Sequence, residues 1–254
     1  EIGQPAIMAN ASATARVREV DFGVKLADIA DAVAGHSLGE YTALCAAGAY
    51  DLSTTARLLK LRGKVMQSAV PVGEGAMAAL LGADIEKATA LTEAAAQGEV
   101  CEVANDNDPG QVVISGHTGA IERAIGLAKE HGIKRGLKLP VSAPFHCSLM
   151  EPAAEAMAQA LSEAPPNNLT IPLYANVTAG KVTSGEEERD LLVQQVTGRV
   201  RWRESVTAME ADGISQIIEL GGKVLSPMVK KIAGDVETAN LITMEDLEAF
   251  AKSL

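Results

Sequence analysis

Gly35-His36-Ser37-Leu38-Gly39 sets a serine between two glycines, where a small apolar run, Ala32-Val33-Ala34, meets a helix-forming stretch from Glu40 to Ala47. A G-x-S-x-G pentapeptide between a strand and a helix is a nucleophile elbow. Its glycines remove Cβ atoms that would clash in so sharp a turn, and the serine hydroxyl stands exposed above the strand end. The unpaired N–H groups opening the helix, together with its dipole, would stabilise an oxyanion formed on an attacked acyl group. The chemistry on offer is acyl transfer or acyl hydrolysis through Ser37. By itself the pentapeptide is equally a glycine-bounded turn before a helix.

A serine nucleophile needs a base, and an imidazole can both take its proton and return it. The chain has four histidines. His36 is inside the elbow, so its side chain should point away from the exposed face of the serine. His117 and His131 fall in a separate group of elements. His146, after the extended proline-containing segment Val141-Ser142-Ala143-Pro144-Phe145, is the candidate base; beside Phe145 it could equally be a packed, hydrogen-bonded residue. Arg62, in Leu61-Arg62-Gly63-Lys64, carries a planar fork suited to a carboxylate, and its plain alternative is an arginine in a helix C-terminal turn.

These residues need elements to hold them. The Ala-rich start, from Gln4 to about Arg18, has a helical pattern, and Gly23 and Asp31 bracket a connection into the strand ending at Gly35. A helix follows the elbow and closes at Gly48. The next starts at a cap, Asp51 or Ser53, and runs to about Gln67. Pro71, Gly73 and Gly75 then interrupt the pattern. Strand 76–81, helix 85–96, strand 99–104, turn 105–110, strand 111–115, helix 119–131 and strand 134–139 follow. The order β-α-β-β-α-β is the split βαβ, ferredoxin-like unit. Beyond Pro140 the pattern gives a helix over 150–164, strands over 171–177 and 214–220, a helix through Leu191–Gln195 and another before Gly213. The expected fold is α/β: a hydrolase-like three-layer body with a parallel sheet, formed by residues 1–71 and 141–254, carrying a ferredoxin-like α+β subdomain over 72–140.

Composition narrows the function. The 254 residues are 47% hydrophobic and only 3% aromatic, which suits strands covered by Ala-rich helices. A net charge of -11 and a pI of about 4.9 argue against nucleic-acid binding. Two basic clusters could still meet an anionic partner: Lys60, Arg62 and Lys64, and Arg199, Arg201 and Arg203 around Trp202. Charge runs of this kind are also commonly solvated faces. Cys45, Cys101 and Cys147 form no metal-ligand spacing and cannot all pair, which favours a reducing compartment. With no apolar run of the ~20 residues a bilayer span needs and no signal-like start, a cytoplasmic protein without metal or membrane is expected. The acidic turn over 105–110 lacks the spacing of a calcium loop.

Taken in order, Gly35-His36-Ser37-Leu38-Gly39-Glu40-Tyr41, Arg62-Gly63-Lys64-Val65-Met66-Gln67, Asn107-Asp108-Pro109-Gly110-Gln111-Val112-Val113-Ile114-Ser115-Gly116 and Ala143-Pro144-Phe145-His146 resemble malonyl-CoA:acyl carrier protein transacylases, from about Gln4 to the end of the chain. The resemblance implies a ping-pong malonyl transfer of fatty acid biosynthesis with Ser37 and His146 catalytic and no cofactor besides the two thioester substrates. It places Arg62 on the malonyl carboxylate, with Leu38, His36 and Phe145 around the substrate. The backbone carbonyl of Gln195, rather than a carboxylate, would orient the histidine. Phe145 matches the malonyl-selecting pattern, where relatives that accept methylmalonyl carry a smaller residue. The implied partners are coenzyme A thioesters and acyl carrier protein, which the basic clusters could meet, and the implied state is a monomer.

Two departures from the family pattern stand out. Its N-terminal strand and Gly-Gln-Gly loop, which shares the oxyanion hole with the N–H of Leu38, find no match, because Gln4-Pro5-Ala6-Ile7-Met8 fits a later helix; one lost oxyanion donor typically lowers the rate about 10²–10³-fold. Glu219-Leu220-Gly221-Gly222-Lys223 lacks the proline that the family carries between the glycines. Two other readings stay open at this point: a serine hydrolase or thioesterase, which expects an acid before its histidine, and a non-catalytic carrier-protein-binding fragment.

Overall fold

The strand before the elbow is only two residues long, β1 (Val33–Ala34), and it pairs in parallel with β6 (Leu173–Tyr174), which pairs antiparallel with β7 (Lys181–Val182). The computed structural model describes residues 3–9, 11–12 and 26–253. A first helix, α1, covers residues 3–9; its expected continuation to Arg18 and the break at Gly23 lie outside the described residues. After the elbow come α2 (Leu38–Ala46) and α3 (Leu52–Ser68). Asp51 caps α3 by accepting from the Thr54 N–H at 2.6 Å. Gly48 turns the chain between them at φ 78°. The body core is built from Tyr41 and Leu44 of α2, Leu58, Leu59 and Met66 of α3, Met157 and Leu161 of α6 (Glu151–Glu163), and Leu191, Leu192 and Val196 of α7 (Gly185–Thr197). Each such side chain contributes about 1.5–3 kcal/mol on burial.

Between Gly75 and Lys138 the elements follow the order β2 (Gly75–Leu81), α4 (Ile85–Ala96), β3 (Cys101–Asp108), β4 (Gln111–His117), α5 (Thr118–Leu127), β5 (Arg135–Lys138). They make an antiparallel sheet of order β3-β4-β2-β5. Strand period decides which face each residue covers. Ala76, Ala78 and Leu80 join Leu91, Ile114 and Ile121 under the helices, whereas Met77 and Ala79 turn to the other face with Ala104 and Val113. Phe145 packs against that second face and also against the body core, so it is shared by both.

The turn expected over 105–110 is shorter than its composition suggests. β3 runs on through Asp108, and only Pro109-Gly110 turns the chain. The reason is tertiary. The Asp106 N–H donates to the carbonyl of Val200 and the Val200 N–H to Ala104, each within 2.9 Å. Asp106 and Asp108, each 1% exposed, accept from Arg203 and Lys231. Backbone partners and cations from the rest of the chain thus hold extended four residues that alone favour turns.

The last third carries α8 (Trp202–Ala211), β8 (Gln216–Leu220), α9 (Ser226–Ile232), β9 (Glu237–Leu241) and α10 (Met244–Ser253). β8 and β9 pair in parallel. β7, α9, β9 and α10 have no place in the sequence reading, being short or weakly periodic. The shortened glycine turn also finds its account here. Gly221 takes φ 75°, and the Glu219 carboxylate accepts from the N–H groups of Val224, Leu225 and Ser226, from Ser226 Oγ and from Asn240 Nδ2, closing the turn onto the start of α9. Among the described residues no helix is long and apolar enough to cross a membrane.

Candidate active site

Ser37 sits at φ 54°, ψ -108°, a conformation an L-residue adopts only when its surroundings enforce it. Gly35 makes the turn possible: a Cβ there would lie 2.0 Å from the carbonyl of Gly39. Gly39 is different. A Cβ on it would meet nothing within 4 Å among the described residues, so the second glycine does not relieve the clash that the pentapeptide pattern suggests. Asn176 locks the bend from the far side. Its Oδ1 accepts the Ser37 N–H at 2.7 Å, and its Nδ2 donates to the Gly35 carbonyl at 2.7 Å. The Gly39 N–H donates to the His36 carbonyl and the Glu40 N–H to Ser37, which leaves the Leu38 N–H at the first helical position without an intrahelical acceptor.

His146, 109 residues away, closes on the serine with Nε2 2.8 Å from Ser37 Oγ. Its Nδ1 is 2.8 Å from the Gln195 carbonyl oxygen. A carbonyl only accepts, so Nδ1 carries the proton and Nε2 presents its lone pair to the hydroxyl. His146 also has a positive φ, 59°, forced on it as the chain leaves Pro144. That loop is wedged against β2, where a Cβ on Gly75 would be 2.4 Å from the Pro144 ring. Burial, then the positive charge of Arg62, push His146 down to about 3, against its hydrogen bond to Gln195.

Arg62 is in the middle of α3 rather than in a C-terminal turn, and it is 1% exposed. Its guanidinium lies 5.7 Å from the Tyr41 ring centroid. Nη1 donates to Gln4 Oε1 at 2.9 Å, and Nη2 donates to Gln195 Oε1 at 2.9 Å and to Ser37 Oγ at 3.0 Å. The buried Nε has no partner among the described residues. Desolvation lowers its pKa, opposed by Tyr41 and Glu40. A cation held this deep by neutral oxygens can accept a carboxylate.

Gln195 ties these parts together. Besides orienting His146 through its carbonyl and accepting from Arg62, its Nε2 donates to the Ser37 carbonyl and to Glu40 Oε2, each at 3.0 Å. Glu40 Oε2 also accepts the Asn176 N–H at 3.0 Å. Glu40 and Glu188 are both 0% exposed. Neither Glu188 oxygen nor Glu40 Oε1 meets another protein donor among the described residues, and the two carboxyls face each other. Burial first and the Glu40 charge second push Glu188 up to about 10, and burial raises Glu40 as well, so the pair favours holding a proton between its two carboxyls.

Of the residues singled out from sequence, Ser37, His146, Arg62 and Gln195 meet at one point. His36 points away from the hydroxyl, its Nε2 2.9 Å from Asn107 Oδ1 and its ring 5.8 Å from that of Trp202. Burial lowers its pKa. Leu38 and Phe145 flank Ser37 and His146 in the chain and are half-buried. The basic clusters do not survive as expected. Arg62 is internal, Arg203 grips Asp106, and Arg199 and Arg201 both pair with Glu204, leaving Lys60 and Lys64 as exposed cations of those six. Gln4, Asn107, Asn176, Glu40 and Glu188 went unnoticed as site residues. Only Glu40, adjoining the elbow, carried a local signal.

Comparison with known proteins gives one answer. The model of the acyl transferase domain family matches residues 4–235. The malonyl CoA-acyl carrier protein transacylase of Haemophilus influenzae is 44% identical over 248 residues, 97% of this chain and 78% of that protein. The Escherichia coli protein of the same name is 43% identical, over 99% and 79%. The acyl-carrier-protein-S-malonyltransferase of Bartonella henselae superposes with a TM-score of 0.95 at 47% identity, over 99% of this chain and 80% of that one. A malonyl-transacylase solved in complex with its type II PKS acyl-carrier protein superposes at 0.94 with 39% identity, over 99% and 81%.

Proposed function

The chain belongs to the acyl transferase domain family, and from that premise we propose that it moves a malonyl group from malonyl-CoA to the phosphopantetheine thiol of an acyl carrier protein through a malonyl ester on Ser37. The observation that carries this reading is the buried, carboxylate-free guanidinium of Arg62 touching the same hydroxyl as the imidazole of His146.

His146 Nε2 takes the Ser37 proton as Oγ attacks the thioester carbonyl. The Leu38 N–H, at the positive end of α2, donates to the oxyanion. As the C–S bond breaks, the imidazolium, held by the Gln195 carbonyl, gives its proton to the departing thiolate of coenzyme A. The second half-reaction runs in reverse: His146 deprotonates the pantetheine thiol, which attacks the malonyl ester and restores Ser37 Oγ–H. Throughout, Arg62 pairs with the distal malonyl carboxylate, and Phe145 fills the space beside the acyl chain. The Gln195 carbonyl, and no carboxylate among the described residues, orients the imidazole. That separates the site from a Ser-His-Asp hydrolase, in which a charged acid stabilises the imidazolium.

Intact mass after brief exposure to malonyl-CoA tests the reading. The parent chain is expected to gain one malonyl ester, the Ser37→Ala variant none, and added carrier protein bearing its thiol should discharge the ester faster than water does. An adduct that persists in Ser37→Ala, or discharge to water alone, would overturn it.

A further inference from the structure

Resting on the reading that Arg62 receives the malonyl carboxylate, we propose that this carboxylate also activates the base: Arg62 and His146 converge on one atom, Ser37 Oγ, so the charge of the substrate sets the proton affinity of the imidazole, and uncharged acyl thioesters are rejected in the acylation step as well as in binding.

The geometry is direct. Arg62 Nη2 is 3.0 Å and His146 Nε2 2.8 Å from Ser37 Oγ. Guanidinium and imidazole are therefore within about 6 Å inside a buried site, where charges interact strongly. The other groups around them do not cancel the Arg62 charge at the hydroxyl. From α3 only Arg62 faces the site. His36, before α2, has its pKa lowered by burial, and any positive charge on it would add to that of Arg62 rather than cancel it. Glu40 Oε2 of α2 is already engaged by Asn176 and Gln195, and burial raises the pKa of Glu40 and pushes Glu188 of α7 up to about 10, which weakens any negative charge on that pair. β3 presents the neutral amide of Asn107 to His36, while Glu102 accepts from Ser148. The positive charge on Arg62 therefore opposes protonation of His146, second only to burial as a cause of its weak basicity.

A carboxylate docked on Arg62 neutralises that charge just before the proton must move. His146 then becomes a stronger acceptor for the Ser37 proton as the Oγ–C bond forms, and it later releases that proton to the thiolate as the C–S bond breaks. An acetyl group leaves the guanidinium unopposed and the imidazole a poor base. Gln4, the neutral acceptor on Nη1, keeps the free cation in place without supplying the missing charge.

Rapid-quench mass measurement of Ser37 acylation at saturating malonyl-CoA and acetyl-CoA, from pH 2.5 to pH 8, reads the coupling. The acid limb with malonyl-CoA is expected about one pH unit or more above that with acetyl-CoA, with plateau acylation at least about tenfold faster. In Arg62→Met the acetyl limb should move up toward the malonyl position of the parent, because removing the charge does what the carboxylate does. Superimposable limbs and an acetyl limb unmoved in Arg62→Met would overturn the coupling while leaving carboxylate binding intact. A variant that keeps the parent half-saturation for malonyl-CoA would instead sink the underlying reading. Should Arg62→Met fail to fold, the two-substrate comparison on the parent chain decides alone.

Discussion

Two arginines in this molecule have opposite fates. Arg203, on α8, reaches a carboxylate supplied by the chain itself: Nε and Nη2 clasp Asp106, with Nη2 2.8 Å from Oδ2, and the attraction raises its pKa. Arg62 is buried more deeply and receives only amide and hydroxyl oxygens, and its pKa falls. The first pair is complete and fastens β3, in the sheet spanning 75–138, to α8. The second has no hydrogen-bonded carboxylate among the described residues, and a substrate could bring one. A buried cation clasped by a carboxylate fastens the fold, whereas one held by neutral oxygens can accept an incoming anion.

Breaking the incomplete site should have the largest effect. Arg62→Ala is expected to lower kcat/KM for malonyl-CoA about 10²–10³-fold, with a smaller loss or a gain for acetyl-CoA, measured as a ratio of specificity constants. Breaking the complete pair should do the reverse. Arg203→Met leaves Asp106 buried without its clasp and is expected to reduce unfolding free energy by about 1–3 kcal/mol in denaturant titration while leaving the malonyl-to-acetyl ratio unchanged. A changed ratio would show that Arg203 helps shape the acyl site.

A subtler probe uses the carboxyl pair beneath Arg62. The folded-state pKa of Glu188, about 10, lies above its ordinary value of 4.5. The folded chain therefore holds a proton that the unfolded chain releases, and stability falls as pH rises through that interval. Glu188→Gln keeps a donor toward Glu40 and removes the penalty. It is expected to match the parent near pH 4.5 and exceed it by about 1–3 kcal/mol at pH 8, with acylation of Ser37 unaltered. Parallel stability curves for the two proteins would mean that Glu188 is ionised in the folded chain.

The chemistry was legible because it is written in local signals. The Gly35 turn, a helix start and the Ser37 hydroxyl between them need only neighbouring residues, and the Asp51 cap of α3 is equally local. Resemblance to a family supplied what spacing could not, joining Ser37 to His146 and Gln195 across 158 residues, the longest of these separations. Local composition misled where distant partners intervened. Asn105-Asp106-Asn107-Asp108 reads as a turn, yet Val200, Arg203 and Lys231 draw it into a strand. The cluster Arg199, Arg201, Arg203 reads as a basic face, yet Glu204 and Asp106 pair with all three and offset two of their three charges.

Sequence by itself determined the strand-turn-helix elbow around Ser37 and the order of most elements, because hydrophobic period and turn chemistry act over a few residues. Only the tertiary structure decided which charged groups are hydrogen-bonded to a carboxylate and which to neutral oxygens. Burial and pairing are properties of the packed chain: α3 carries Arg62 inward to Gln4, Ser37 and Gln195, where its charge weakens His146, whereas α8 carries Arg203 to Asp106. Two arginines of one type, each beside basic neighbours in the sequence, thereby come to lie one against the elbow serine and one against a carboxylate of the chain itself.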